Sequence, residues 1–309
     1  MSNVSRKTKN KVGPVSLTLF FIVEPPEYEV YACYLAASIR EQFGNDVRLI
    51  GYCPSHRAGE VDPNVRTLLD RMTCDFRTFD TAGKFDPDYP HGNKLLATLE
   101  RRGTKYSGFL DSDILCLRPN TIDALIKPNA VSLTLAASLN WAPQEFWTDV
   151  YDLFEMPLPE ERHMLARQKK GEPKLPYFSS GLVIFPEHHI SPKGLTFAET
   201  WMDTAQTIDA SDKIPSKRPY LDQISLPLAI KRAGLAPNLL NEREHYILGG
   251  KLRGKPLPTE DPPKTVHYRR WVVLNEAKLA GQAKAMMQKQ AGVKRVYEVG
   301  TEKDVFERA

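Results

Sequence analysis

The chain has 309 residues, 41% of them hydrophobic and 26% charged, with a formal net charge of +4. That is ordinary globular composition with enough apolar mass for a full core. Arg6, Lys7, Lys9 and Lys11 account for the whole net excess, so the rest of the chain is balanced and a generally basic, nucleic-acid-binding surface is excluded.

The basic residues 1–13 are expected to form a flexible tail. The apolar run 15–23 is too short to span a bilayer. It meets Glu24-Pro25-Pro26 at once, with no small-residue cleavage pattern. Cys33, Cys53, Cys74 and Cys116 lie in apolar contexts without any Cys-x-x-Cys spacing, so reduced core thiols are expected rather than disulfides or a zinc site. These points favour a cytoplasmic protein with no transmembrane segment.

In chain order, residues 15–23 read as a buried strand and 31–43 as a helix closed by Gly44. Residues 47–53 form a second strand, 63–72 a helix opened by Pro63, and 76–79 a third strand. A helix over 93–102 precedes a fourth strand over 108–117. This alternation predicts an α/β fold, a mostly parallel mixed sheet with helices on both faces. Beyond it come a strand at 131–137 and a short helix at 145–154. The charged stretch 160–174 reads as a surface helix or a mobile loop. A strand follows at 181–185, then helices at 195–208 and 221–233, the second interrupted by Pro227. Residues 249–264 are loop, 265–268 a last short strand and 275–289 a helix. The main domain is expected over 14–272, with 273–309 as a C-terminal helical extension.

Ligands of an open α/β sheet bind beyond the carboxyl ends of its strands, so polar residues that follow apolar runs are the candidates. Asp111 and Asp113 interrupt the apolar run 108–117. Spacing alone is weak evidence, since such a pair arises about once per chain of this length by chance. Asp86 and Asp88 are a second pair, flanking Pro87 in a polar turn. On a strand, Asp111 and Asp113 would share one face roughly 6–7 Å apart at the backbone. Two ionised groups so close repel and resist desolvation, and a cation relieves both costs. Oxygen ligation with open positions suits Mg²⁺ or Mn²⁺ holding phosphates. The competing reading is a pair of turn caps or partners of arginines such as Arg118.

The ordered set of motifs resembles the GT-A-fold nucleotide-diphospho-sugar glycosyltransferases, and in detail the glycogenin-like, retaining transferases. Asp111-Ser112-Asp113 resembles their Asp-x-Asp motif. Lys94 resembles a lysine near the nucleotide phosphates, and Ser179-Ser180-Gly181 is similar to an Asn-Ala-Gly element before a strand. Asp222-Gln223 resembles that family's Asp-Gln, and His267 the histidine that completes the metal shell. The resemblance spans residues 15–271. It departs where Ser179 replaces Asn and where Tyr268-Arg269-Arg270-Trp271 follows His267.

The resemblance implies transfer of a sugar from a nucleoside diphosphate sugar, UDP-linked by expectation, to an unknown glycan or small-molecule acceptor. Asp111, Asp113 and His267 are the implied ligands of Mn²⁺ or Mg²⁺. His267 is otherwise a hydrogen-bonded histidine at a strand end. Val23 and Glu24 are expected near the nucleotide base, Lys94 and Arg269 near the phosphates, and Ser112 among the residues that bind the nucleotide sugar. Lys94 read without the resemblance is a solvated helix residue. Ser179, Ser180 and Gly181 offer hydroxyls and a close backbone approach to sugar hydroxyls. Asp222, with Gln223, is the catalytic candidate, by hydrogen bonding to donor or acceptor or as a general base, against a helix-capping role. Trp141 either stacks on an acceptor sugar or packs in the core. Residues 155–176 are the expected acceptor-specific insert. Two other classes compete: a non-catalytic nucleotide-sugar-binding protein, and a sugar nucleotidyltransferase, which needs a Gly-rich loop where Glu24-Pro25-Pro26 stands.

Overall fold

The computed structural model describes residues 16–296 apart from 140, 141, 143, 169 and 219. The tail and Trp141 lie outside the described residues.

The chain opens with β1 (Leu17–Ile22), α1 (Glu27–Phe43), β2 (Arg48–Pro54), α2 (Pro63–Arg71) and β3 (Cys74–Phe79). It continues through α3 (Asn93–Leu99), β4 (Tyr106–Leu110), β5 (Ile114–Cys116), α4 (Ile122–Leu125) and β6 (Ala130–Leu133). Next come α5 (Gln144–Asp152), β7 (Leu182–Pro186), α6 (Phe197–Ala210), α7 (Leu221–Arg232) and β8 (Ala236–Leu239). β9 (Tyr246–Ile247), β10 (Thr265–His267), α8 (Trp271–Glu276) and α9 (Ala280–Ala291) complete the described residues.

The main sheet has the order β3-β2-β1-β4-β7-β6-β8. β1 to β4 run parallel, and β7 is antiparallel to both β4 and β6. Strands such as β1, buried along nearly its whole length, need apolar residues on both faces, which is why their sequences read as continuous apolar runs. One core, against α1, α2 and α9, fills one side of the sheet; a second, against α3, α5, α6 and α7, fills the other. A small sheet, β5-β10-β9, abuts the main one.

Local chemistry sets the element ends. Asp62 caps α2 by accepting from the Asn64 N–H, with Pro63 in the first turn. Thr196 and Glu199 form a reciprocal capping box on α6. Gly44, at φ +57°, closes α1 with its N–H on the Arg40 carbonyl.

Several expectations are corrected. The strand expected over 108–117 is two strands, β4 and β5, in different sheets. Asp111-Ser112-Asp113 forms the turn between them, because three polar groups find partners there rather than in a ladder. The Asp111 N–H donates to the Gly181 carbonyl at 2.9 Å, the Ile114 N–H to the Asp111 carbonyl at 3.1 Å, and the Ser112 hydroxyl to the Ile22 carbonyl at 2.5 Å. The helix expected over 93–102 stops at Leu99, since Arg102 folds back and donates to the Ala97 and Thr98 carbonyls at its end. The helix expected over 275–289 is α8 and α9, broken where Lys278 takes φ 60°. α7 runs unbroken through Pro227, whose ring is buried between Leu226 and Leu228. β8 was not foreseen, and its Pro237 suits the sheet edge it occupies. The described residues of 160–174 contain no helix: His163 and Lys174 exchange backbone hydrogen bonds at 2.8 Å. All four cysteines are buried and free. No helix among the described residues is long and apolar enough to cross a membrane.

Candidate functional site

The site sits beyond the carboxyl ends of β1 and β4, where an open α/β sheet places its ligands. Asp111 follows β4 directly, Asp113 precedes β5, and His267 ends β10. β10 pairs antiparallel with β5 and sets His267 opposite Ile114, one residue from Asp113. The imidazole Nε2 of His267 is thereby 3.1 Å from Asp113 Oδ1 and 3.9 Å from Asp111 Oδ2. One candidate ligand atom from each of the three residues lies within 4.8 Å of the others, the one such cluster among the described residues.

Cis ligands at about 2.1 Å from an octahedral ion stand about 3 Å apart, so this spacing accepts a small divalent cation with modest adjustment. Two carboxylates and one imidazole form a mixed O/N donor set that suits Mn²⁺ better than Mg²⁺. Burial pushes the Asp111 carboxyl up, against the pull of Lys94 and His267. At Asp113 burial acts the same way, but His267 outweighs it and holds the carboxyl down.

Lys94, in the first turn of α3, is half-buried between two acids. Its Nζ lies 3.0 Å from Asp111 Oδ1, 2.9 Å from Asp222 Oδ2 and 3.2 Å from Ser180 Oγ. Burial disfavours its charge, but Asp111 and Asp222 outweigh that and raise its pKa. All three ammonium hydrogens therefore have partners inside the protein, which rules out the solvated helix residue. Ser180 also donates to Asp222 Oδ2 at 2.5 Å. Asp222 lies in the first turn of α7, and its carboxylate is spent on Lys94 and Ser180 rather than on a backbone cap. Gln223 follows it, half-buried.

The other expected residues surround this centre. Val23 is buried, with its N–H on the Tyr52 carbonyl at 2.7 Å. The Glu24 carboxylate accepts from Asn93 Nδ2 at 2.9 Å and pairs with Arg57 at 3.2 Å. Ser179 Oγ is 3.0 Å from His245 Nε2. Arg269 is exposed at φ 61°, two residues beyond His267. Lys94, Asp111, Asp113, Ser180, Asp222 and His267 thus form one polar network, joined by Ser179 and Gly181. Val23, Glu24, Ser112, Gln223 and Arg269 border it. Asp86 and Asp88 are exposed elsewhere on the loop before α3.

Sequence reasoning missed three neighbours. Asn93 ties Glu24 to the helix that carries Lys94. Tyr28 is 47% exposed on the first turn of α1; partial burial, then the charges of Asp113 and Asp111, push its phenol up. His245 is 1% exposed, and its ring centroid is 5.2 Å from that of His267. Burial, then the charge of His267, drives its pKa well below the ordinary value, so the ring is neutral. Nothing in the polar run Glu242-Arg243-Glu244-His245 signals a buried histidine.

Gly181 makes this arrangement fit. A Cβ there would lie 2.8 Å from Asp111 Oδ2 and 2.9 Å from His245 Cε1. Gly181→Ala is therefore expected to push Asp111 off its position and weaken divalent-metal binding by roughly tenfold, with little change in far-ultraviolet circular dichroism. Titration calorimetry measures the first and rejects the idea if affinity is unchanged.

The profile of the family described as the Rhodobacterales glycosyltransferase domain matches residues 19–234. No curated protein gives a significant match to the chain. Among solved structures, the galactosyltransferase LgtC in complex with donor and acceptor sugar analogues superposes with a TM-score of 0.54 at 13% identity, covering 86% of this chain and 95% of that one. An active-site mutant of LgtC gives 0.55 at 12% identity, with the same coverage. At such identities the likeness establishes the GT-A fold, with its mostly parallel sheet flanked by helices, and the family match carries the activity. The protein is a GT-A-fold glycosyltransferase belonging to the Rhodobacterales glycosyltransferase domain family.

Proposed function

We propose that the protein moves a sugar from a UDP-linked nucleotide sugar to a glycan or small-molecule acceptor, with Asp111, Asp113 and His267 holding Mn²⁺ or Mg²⁺. The observation that carries this reading is the convergence of those three side chains beyond the ends of β4, β5 and β10. The ion, when bound, neutralises charge developing on the departing diphosphate.

The protein's own groups do the rest. Lys94 pairs with both Asp111 and Asp222, so the two carboxylates stand side by side with a cation between them. Ser179, Ser180 and Gly181, packed against Asp111 and Asp222, are the groups that would recognise sugar hydroxyls. Val23 and Glu24, at the end of β1, flank the base, and Tyr28 offers an exposed ring nearby. Arg269 and the basic residues of the 249–264 loop face the phosphates. Holding donor and acceptor together replaces a bimolecular encounter with an oriented one.

The environment of Asp222 favours retention. One oxygen of its carboxylate is held by both Lys94 and Ser180, which suits an anchor rather than a general base. The acceptor proton then goes to the leaving phosphate. The acceptor side is built by residues 155–176, which Arg167 fastens by pairing with Glu242 and donating to the Ile247 carbonyl at 2.8 Å.

The test is a thermal-shift screen of nucleotide sugars with and without Mn²⁺, followed by UDP release from the best binder. A UDP-sugar is expected to raise the melting temperature only when the metal is present. Equal shifts without metal would sink the metal-dependent reading. Inversion, seen by anomer-resolved NMR of the product, would instead restore Asp222 as the base.

A further inference from the structure

Two buried ring nitrogens in the site have no hydrogen-bond partner among the described residues: Nδ1 of His245 and Nδ1 of His267. They belong to neighbouring rings, 5.2 Å apart at their centroids and tilted by 43°. A buried polar atom left unpaired costs about 1–3 kcal/mol, so two on adjacent rings call for a common explanation. The two nitrogens make no direct hydrogen bond to each other, so a water held between the neighbouring rings is the common partner that would satisfy both.

We propose that His245 is a positioning residue for His267: its Nδ1 accepts, across one water, the hydrogen on His267 Nδ1, while its Nε2–H donates to Ser179 Oγ. The inference rests on the metal reading above. An imidazole that ligates through Nε2 carries its hydrogen on Nδ1, and that N–H needs an acceptor to fix the ring. A neutral imidazole has one donor and one acceptor nitrogen. If His245 also carried its hydrogen on Nδ1, both rings would donate to the water and neither would accept from it, which leaves both water hydrogens without an acceptor on the rings. With the hydrogen on Nε2, both unpaired nitrogens are satisfied together, and the 3.0 Å contact to Ser179 gains its direction.

The direction has a consequence at Ser179. Its oxygen already accepts from the Gly181 N–H, at 3.4 Å. Accepting from His245 as well leaves the hydroxyl hydrogen free to donate into the cleft, to an oxygen of the donor sugar. The ion, two imidazoles and a serine hydroxyl are thereby joined in one chain of hydrogen bonds.

The experiment measures Mn²⁺ binding to the full chain by titration calorimetry. Asparagine places its amide where Nδ1 of histidine stands, and glutamine where Nε2 stands. His245→Phe and His245→Gln are expected to weaken Mn²⁺ binding by about 10–100-fold, and His245→Asn to retain it within about threefold. Wild-type affinity in the Phe variant, or equal losses in the Asn and Gln variants, would overturn the proposal. A second readout needs no variant: long-range ¹H–¹⁵N spectra of the wild type loaded with Mg²⁺ should show His267 protonated at Nδ1 and His245 at Nε2. His245 protonated at Nδ1 overturns the proposal. Failure of the wild type to bind Mn²⁺ overturns the metal reading and this inference together, whereas binding that ignores position 245 overturns this inference alone.

Discussion

Asp113→Asn is expected to lower metal-dependent transfer by roughly 10²–10³-fold while the apo protein stays folded. The estimate follows from an ion that supplies several kcal/mol to a charged transition state, at about 1.4 kcal/mol per factor of ten. Asp113 is a better target than Asp111 because, among the described residues, its side chain pairs with no cation but His267, whereas Asp111 also pairs with Lys94. Removing the Asp113 charge takes away the main partner that raises the His267 pKa, and burial then favours the neutral ring, so no ion is stranded. The backbone role of the residue, accepting from the Tyr268 N–H at 3.0 Å, is unchanged. Initial rates across a Mn²⁺ series, with apo melting temperatures as control, measure the effect. A variant with wild-type rates at every Mn²⁺ concentration would refute a ligand role.

Lys94→Met tests the other half of the site and acts through stability. It leaves the carboxylates of Asp111 and Asp222 buried without their cation. Breaking a buried pair from one side costs roughly 3–5 kcal/mol, and the 22% exposure of the Asp111 side chain argues for the lower end. About 3 kcal/mol corresponds to a melting temperature lower by roughly 5–10 °C. The loss depends on pH with a definite sign. Unpaired and desolvated, Asp111 in the variant has a folded-state pKa above its unfolded one, with the opposing pull of Lys94 gone, so the folded form binds the extra proton. Stability of the variant then falls as pH rises through that window. Its deficit against wild type is greatest near neutrality and shrinks in mild acid. A deficit that grows on acidification, or none at pH 7, would show that Lys94 does not balance these carboxylates.

The sheet was legible in the sequence because its central strands are buried on both faces and must be apolar throughout. The same rule misled at 108–117, where an apolar run continues on both sides of the turn. Hydropathy reports burial, and both strands are buried, so the change of sheet left no mark. The Asp pair was therefore found for a reason that needed amending: its carboxylates converge across a turn, with help from His267, rather than from one strand face. Lys94 was visible as a residue but not as the counter-ion of two acids 17 and 128 positions away, since no local pattern encodes such partners. His245 left still less trace. Its burial comes from Gly181, 64 positions earlier, which lacks the atom that would keep the ring out.

The division of the expected strand also has a mechanical meaning. Asp111 belongs to the end of the main sheet, while Asp113 and His267 belong to the small one. A cation held by all three is a cross-link between two separately hydrogen-bonded bodies. The loading of the ion and the relative alignment of the sheets are then a single equilibrium, and whatever shears the small sheet against the large one also sets how tightly the protein holds its metal.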